Sequence, residues 1–212
     1  MQDSAHRSLG GDRMRCLVVM LLLVLVGCTQ PVSPPPSSPA VAPSSPSVSP
    51  TPTPTCSPMG GTSRPCSREE YQKVEEQNRL TEEAIALYRR WIKESTRLYR
   101  AGGTDKPTKE MLATTAGKFR GSVLGIFQDL RSARVHAASG EVKVATIGPD
   151  LDAEAAPDGV AIAACLDARS LRFQRNGKTI RHGTTAAEDV VAKKVNGQLR
   201  LWSVRSGEVA SC

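Results

Sequence analysis

Apolar and polar residues follow three successive regimes along the chain. Leu17 to Val26 is an unbroken run of ten apolar residues with Arg13 and Arg15 in front of it. That length is too short to cross a bilayer and, with the basic flank, has the form of a secretory signal core. From Thr29 to Cys66 no apolar periodicity exists. From Ser67 the period becomes helical, and beyond Gly140 it shortens to two.

Ser67-Arg68-Glu69-Glu70 is a capping box, with Ser67 at the cap and Glu70 three residues on. Tyr71 and Val74 make early contacts. Leu80, Ala84, Tyr88, Trp91, Ser95 and Leu98 then recur at three and four, with Ile85, Ile92 and Tyr99 alongside. Arg89, Arg90, Lys93, Glu94, Arg97 and Arg100 fall mostly on the opposite, solvated face, and Gly102-Gly103 ends the helix. A second helical pattern follows Pro107 through Leu112, Ala116, Phe119, Val123, Ile126, Phe127 and Leu130. Within it Gly117, Gly121 and Gly125 stand four apart, and Lys118, Arg120 and Asp129 exclude a lipid-buried contact. Each glycine costs a helix about 1 kcal/mol relative to alanine, so the series marks a break between two helices or a line of close packing.

After Gly140, Val142, Val144 and Thr146 alternate with polar or small neighbours, and Val160, Ile162, Ala164 and Leu166 share one strand face. Leu171 and Phe173 lead into Asn176-Gly177. Val190 to Val195 and Leu199 to Val204 form a hairpin at Asn196-Gly197, since Asn-Gly supplies the two left-handed positions of a tight turn. The predicted sheet is antiparallel, with an exposed loop over Gly148 to Gly159.

Composition changes this picture in the middle regime. Thr29 to Cys66 spans 38 residues, of which 12 are Pro, 9 Ser and 5 Thr, with no charge before Arg64. Such a segment cannot bury a core, and proline holds it near polyproline II. The 28 residues from Thr29 to Cys56 extend about 85 Å at the polyproline rise. The remaining 146 residues, Ser67 to Cys212, suit one α+β domain. The expected organisation is therefore a leader over 1–27, a tether over 28–66 and a domain over 67–212.

Without Arg7, Arg13, Arg15, Asp3 and Asp12 the chain keeps 25 basic and 19 acidic residues, a net +6. That excess favours anionic neighbours such as lipid headgroups or wall polymers. Interspersed acids and few aromatics argue against nucleic acid.

The apolar run closes on Leu25-Val26-Gly27-Cys28. This resembles the bacterial lipobox, and the resemblance implies cleavage before Cys28 and diacylglycerol on its thiol. The chain then belongs at a membrane, on the extracytoplasmic face. Outside the membrane, the even set Cys56, Cys66, Cys165 and Cys212 reads as two disulfides. Three pairings exist, and proximity in a floppy segment favours Cys56 with Cys66, leaving Cys165 with Cys212. No tight Cys-x-x-Cys pair is present, so no metal site is expected.

Helices first and a curved antiparallel sheet after, with AIAACLDA around Cys165 and LRLWSVRSGEVASC at the end, resemble the small actinobacterial lipoproteins with an NTF2-like domain. The resemblance covers Ser67 to Cys212. It implies a cone in which the sheet wraps the helices around a cavity. Some NTF2-like proteins are isomerases or dehydratases with an Asp or His pair inside the cone. The candidates here are Asp129, His136, Asp167 and His182, none in a recognisable motif, and the structural reading of each is preferred, so no catalytic residue and no cofactor are assigned. The chain contains no phosphate loop, nucleophile elbow or metal motif. The expectation is a non-enzymatic binding or accessory module for an envelope protein partner or a small apolar ligand. A cone enzyme and a phage-derived surface exclusion lipoprotein are the alternatives.

Overall fold

The Ser67 hydroxyl accepts the Glu70 N–H at 3.1 Å, and this cap starts α1 (Arg68–Ala101). In the computed structural model, which describes residues 52–153 and 158–212, α1 runs for 34 residues. The apolar run, Cys28 and the first part of the tether lie outside the described residues. The helix stops where Gly102 turns left-handed and the Gly103 N–H returns to the Leu98 carbonyl at 2.9 Å. A Cβ on Gly103 would stand 1.9 Å from the Phe127 carbonyl oxygen, so glycine is required for this close turn.

The stripe Leu80, Ala84, Tyr88, Trp91, Ser95 and Leu98 is buried, as its spacing predicts. Glu94 departs from the expectation of a solvated face, because it is only 7% exposed. Its carboxylate takes two bonds from the Arg97 guanidinium at 2.7 Å and one from the Thr108 hydroxyl at 2.6 Å. Thr108 also accepts the Met111 N–H at 3.1 Å, capping α2 (Lys109–Thr114). Burial of this charge is tolerated because every contact supplies a donor.

The second helical pattern divides. Thr115 and Ala116 are extended, the Ala116 N–H donates to the Leu201 carbonyl at 2.8 Å, and α3 (Gly117–Ser132) begins after them. Gly117 has φ +52, and a Cβ there would lie 2.7 Å from the Trp202 ring. Both readings of the glycine series therefore meet at Gly117. Neither applies to Gly121 or Gly125, which have no neighbour within 4 Å of an added Cβ.

Beyond the short ribbon of β1 (Thr55–Cys56) and β2 (Arg64–Pro65), strand structure starts earlier than the change of period, at β3 (His136–Ser139). Two alanines and a serine give this stretch no β-branched signature. Then come β4 (Lys143–Pro149), β5 (Gly159–Asp167), β6 (Arg172–Arg175), β7 (Lys178–His182), β8 (Thr185–Val195) and β9 (Gln198–Glu208). Every pairing among them is antiparallel, in the orders β3-β6-β7 and β4-β5-β8-β9. Asn176-Gly177 and Asn196-Gly197 turn their hairpins with all four φ angles positive. Register shifts at Val144/Thr146 and Val191/Ala192 bend the larger sheet. Of the expected loop, Gly148 and Pro149 extend β4, while residues 154–157 lie outside the described set.

Helices and sheets share one core. Trp91 meets Phe119 edge-on at 5.7 Å between centroids and Phe127 at 6.1 Å, and Tyr99 joins Phe127 at 5.1 Å to Phe173 at 5.5 Å. This chain of rings connects α1, α3 and β6. Cys165, on the interior strand β5, is bonded to Cys212. Cys56 is bonded to Cys66 across a short ribbon, Thr55–Cys56 and Arg64–Pro65. Asn78 of α1 holds this ribbon's loop by accepting the Met59 N–H at 2.8 Å and donating to the Ser57 carbonyl at 2.9 Å. Among the described residues no helix is long and apolar enough to cross a membrane.

Candidate functional site

A cavity of about 440 Å³ opens between α1, α3 and the faces that both sheets turn toward the helices. Its wall is mainly apolar, from Tyr99, Val123, Ile126, Phe173 and Val204 among others. Into it projects one carboxylate from the middle of a strand, Glu188 of β8.

Strand alternation puts Glu188 on the face of Val190 and Ala192, both fully buried. The Tyr88 hydroxyl donates to Glu188 Oε2 at 2.6 Å. Across the ladder Glu188 lies opposite Ser206. Burial pushes the Glu188 carboxyl above its ordinary value, while hydrogen bonds from Tyr88 and Ser206 pull it part of the way back. The phenols of Tyr88 and Tyr99 are also raised, first by burial and then by the Glu188 charge. Ionised, the carboxylate accepts hydrogen bonds from a guest. Protonated, it donates one.

Of the four ionisable groups singled out from the sequence, His182 alone lines this cavity. It ends β7 on the exposed rim beside Arg181, whose guanidinium carbon lies 4.7 Å from the Phe173 ring centroid. Asp129 is exposed on α3. Asp167 pairs with Arg169 at 2.7 Å, and that guanidinium holds its carboxyl down to about 2. His136 begins β3 beside a different groove, with Arg100, Arg131 and Arg134. The four do not form an acid–base constellation.

Glu188 escapes a reading that starts the strand at Val190, because β8 begins five residues earlier, at Thr185. The available signal was period two: Ala186, Glu188, Val190 and Ala192 alternate, so a carboxylate occupies an apolar face.

A second concavity of about 590 Å³ follows the basic face of α1, between Arg89, Lys93, Arg97 and Arg100 on one side and Glu141, Val142 and Val144 on the other. Arg97 is committed to Glu94, and Arg100 donates to the Gly140 carbonyl at 2.8 Å. Arg100 also borders the groove of His136, so the two basic concavities adjoin.

Cys56, Cys66 and Glu70 bring their ligand atoms within 4.8 Å of one another. Both sulfurs are spent on their mutual bond, which leaves no thiolate to hold a metal. No protein-family model, curated protein or solved structure matches the chain.

Proposed function

We propose that this chain is an extracytoplasmic lipoprotein whose C-terminal domain is an NTF2-like binding module, carried on a Pro/Ser/Thr tether and taking a small, largely apolar ligand in its cavity. The observation that carries the binding role is the apolar cavity of about 440 Å³ bounded by helices and both sheets, a size and composition suited to a small organic guest. The helix-then-sheet order and the bent antiparallel sheet support the NTF2-like assignment. The lipobox-like Leu25-Val26-Gly27-Cys28 supports the anchor, and four cysteines in two bonds accord with an oxidising compartment.

The basic groove along α1 supports a second contact, with an acidic face of an envelope protein, since its cations are solvent-exposed and charge-complementary to such a surface.

Two measurements test the proposal. Metabolic labelling with a clickable fatty acid should mark the wild-type chain in membranes, and Cys28→Ser should move it unlabelled into the medium. Nile red, a neutral lipophilic fluorophore, should brighten on the wild-type chain and not on Ala186→Trp, whose indole fills the cavity. An Ala186→Trp chain with native circular dichroism and undiminished dye binding would remove the cavity from the proposal.

A further inference from the structure

We infer that the cavity selects an organic ammonium ion, an amine or quaternary ammonium on an apolar body, and seats its charge on Glu188. The inference rests on the cavity reading above and adds the chemistry of the guest.

Glu188 is a half-buried carboxylate in an apolar setting, and hydroxyls are the groups that satisfy it. Among the described residues it forms no ion pair, and no Lys, Arg or His contributes to its electrostatics. The contrast with Glu94 is direct. That buried acid takes a guanidinium and a hydroxyl from the protein itself. Taking a carboxylate out of water is costly unless a partner replaces the lost hydration, and a neutral donor replaces only part of it. The Glu188 site therefore lacks a positive charge, and it faces a cavity from which one can be supplied.

The neighbours fit a cation better than an anion. Tyr88 orients the carboxylate by binding Oε2. Tyr99, eleven residues and three turns along α1, lines the same space with a hydroxyl that makes no hydrogen bond among the described residues, and the Glu188 charge is felt there ahead of the opposing charge of Arg181. Its half-buried ring gives an ammonium a π surface. An anion at this point would meet the carboxylate directly. Arg181 is exposed at the rim and stacked on Phe173, so a guest with its charge at one end can place that end on Glu188 and keep clear of the guanidinium.

The test uses the full chain in detergent and three near-isosteric probes, phenethylamine, phenethyl alcohol and phenylacetate, titrated by ligand-observed NMR near neutral pH. The amine should bind about tenfold more tightly than the alcohol, the advantage of a charge-assisted over a neutral hydrogen bond, and the carboxylate should bind most weakly. Glu188→Gln, which keeps an acceptor for Tyr88, should abolish the amine's advantage and leave alcohol binding in place. Equal affinity for amine and alcohol, or an advantage that survives Glu188→Gln, overturns the charge assignment while the cavity reading stands. If no probe binds, the charge assignment falls, and the Nile red comparison decides whether the cavity reading falls with it.

Lowering the pH gives a second readout. Amine affinity should drop as the solution passes below the raised pKa of Glu188. The other titratable groups facing the cavity are Tyr88 and Tyr99 from α1, Arg181 and His182 from β7, and Glu208 from β9. Tyr88 and Tyr99, both raised, keep their protons in acid. His182 and Glu208 both remain in Glu188→Gln, so that variant isolates the Glu188 contribution. A drop of the same size in the variant overturns the assignment.

Discussion

Tyr88 donates its hydroxyl to Glu188 at 2.6 Å, joining a helix to a strand 100 positions away in the chain. The bond fixes a carboxylate that projects from the middle of a strand into the apolar cavity, and among the described residues that carboxylate has no cation partner.

This arrangement makes Glu188 a source of instability at neutral pH. Its folded-state pKa lies above the ordinary 4.5, so the folded state binds the proton more tightly, and stability falls as pH rises through that interval. The penalty is complete above the raised value and absent well below 4.5. Glu188→Gln should therefore stabilise the fold at pH 7.5 by on the order of 1 kcal/mol, with the gain vanishing in acid. Thermal melts of both chains across pH measure it, and a wild-type chain more stable than the variant at neutral pH would contradict the account.

Glu94 behaves in the opposite sense. Arg97, and then Thr108, hold its carboxyl below the ordinary value, against burial. Its stabilisation is present above pH 4.5 and is lost as pH falls through the depressed value. Thr108→Val removes both a bond to Glu94 and the cap of α2, and should cost about 1–3 kcal/mol in urea unfolding. In a double-mutant cycle with Glu94→Gln the two losses should add to less than their sum, because they share one hydrogen bond.

The glycines of α3 offer a paired test. Gly117→Ala forces a side chain into a left-handed position and against the Trp202 ring, and should destabilise by about 2–4 kcal/mol. Gly121→Ala meets nothing within 4 Å. It should stabilise by about 0.5–1 kcal/mol through helix propensity. Equal effects in chemical denaturation would show that Trp202 does not press on the helix start.

The bridge from Cys165 to Cys212 closes 47 positions of chain. Replacing both cysteines with serine should lower stability by about 4 kcal/mol on the chain-entropy view. Thiol labelling of the unreduced native protein should find no reactive group at Cys56, Cys66, Cys165 or Cys212, and stoichiometric labelling would exclude the two bonds.

Local pattern alone determined much of this protein. The Ser67 cap and the Gly102-Gly103 stop bracket a helix whose three-and-four spacing shows the buried stripe, and Asn196-Gly197 locates the last hairpin, because caps and tight turns depend on the conformational limits of a few adjacent residues. The apolar run before Cys28 and the first part of the proline tether are likewise properties of composition, and they remain expectations about residues outside the described structure.

Tertiary structure alone decided where charge is buried. Glu94 reads as part of a solvated face until Thr108 folds back over it. Gly117, Gly121 and Gly125 are equivalent by spacing, and only the left-handed turn at Gly117 and the arrival of Trp202 from β9 separate the first from the others. Asp129, His136, Asp167 and His182 are equally plausible in one dimension, yet the fold brings only His182 to the cavity and puts Glu188 there instead. A carboxylate's environment is set by what packs around it from distant parts of the chain, and that packing, through desolvation and the hydrogen bonds it permits, is not written in the residues on either side of it.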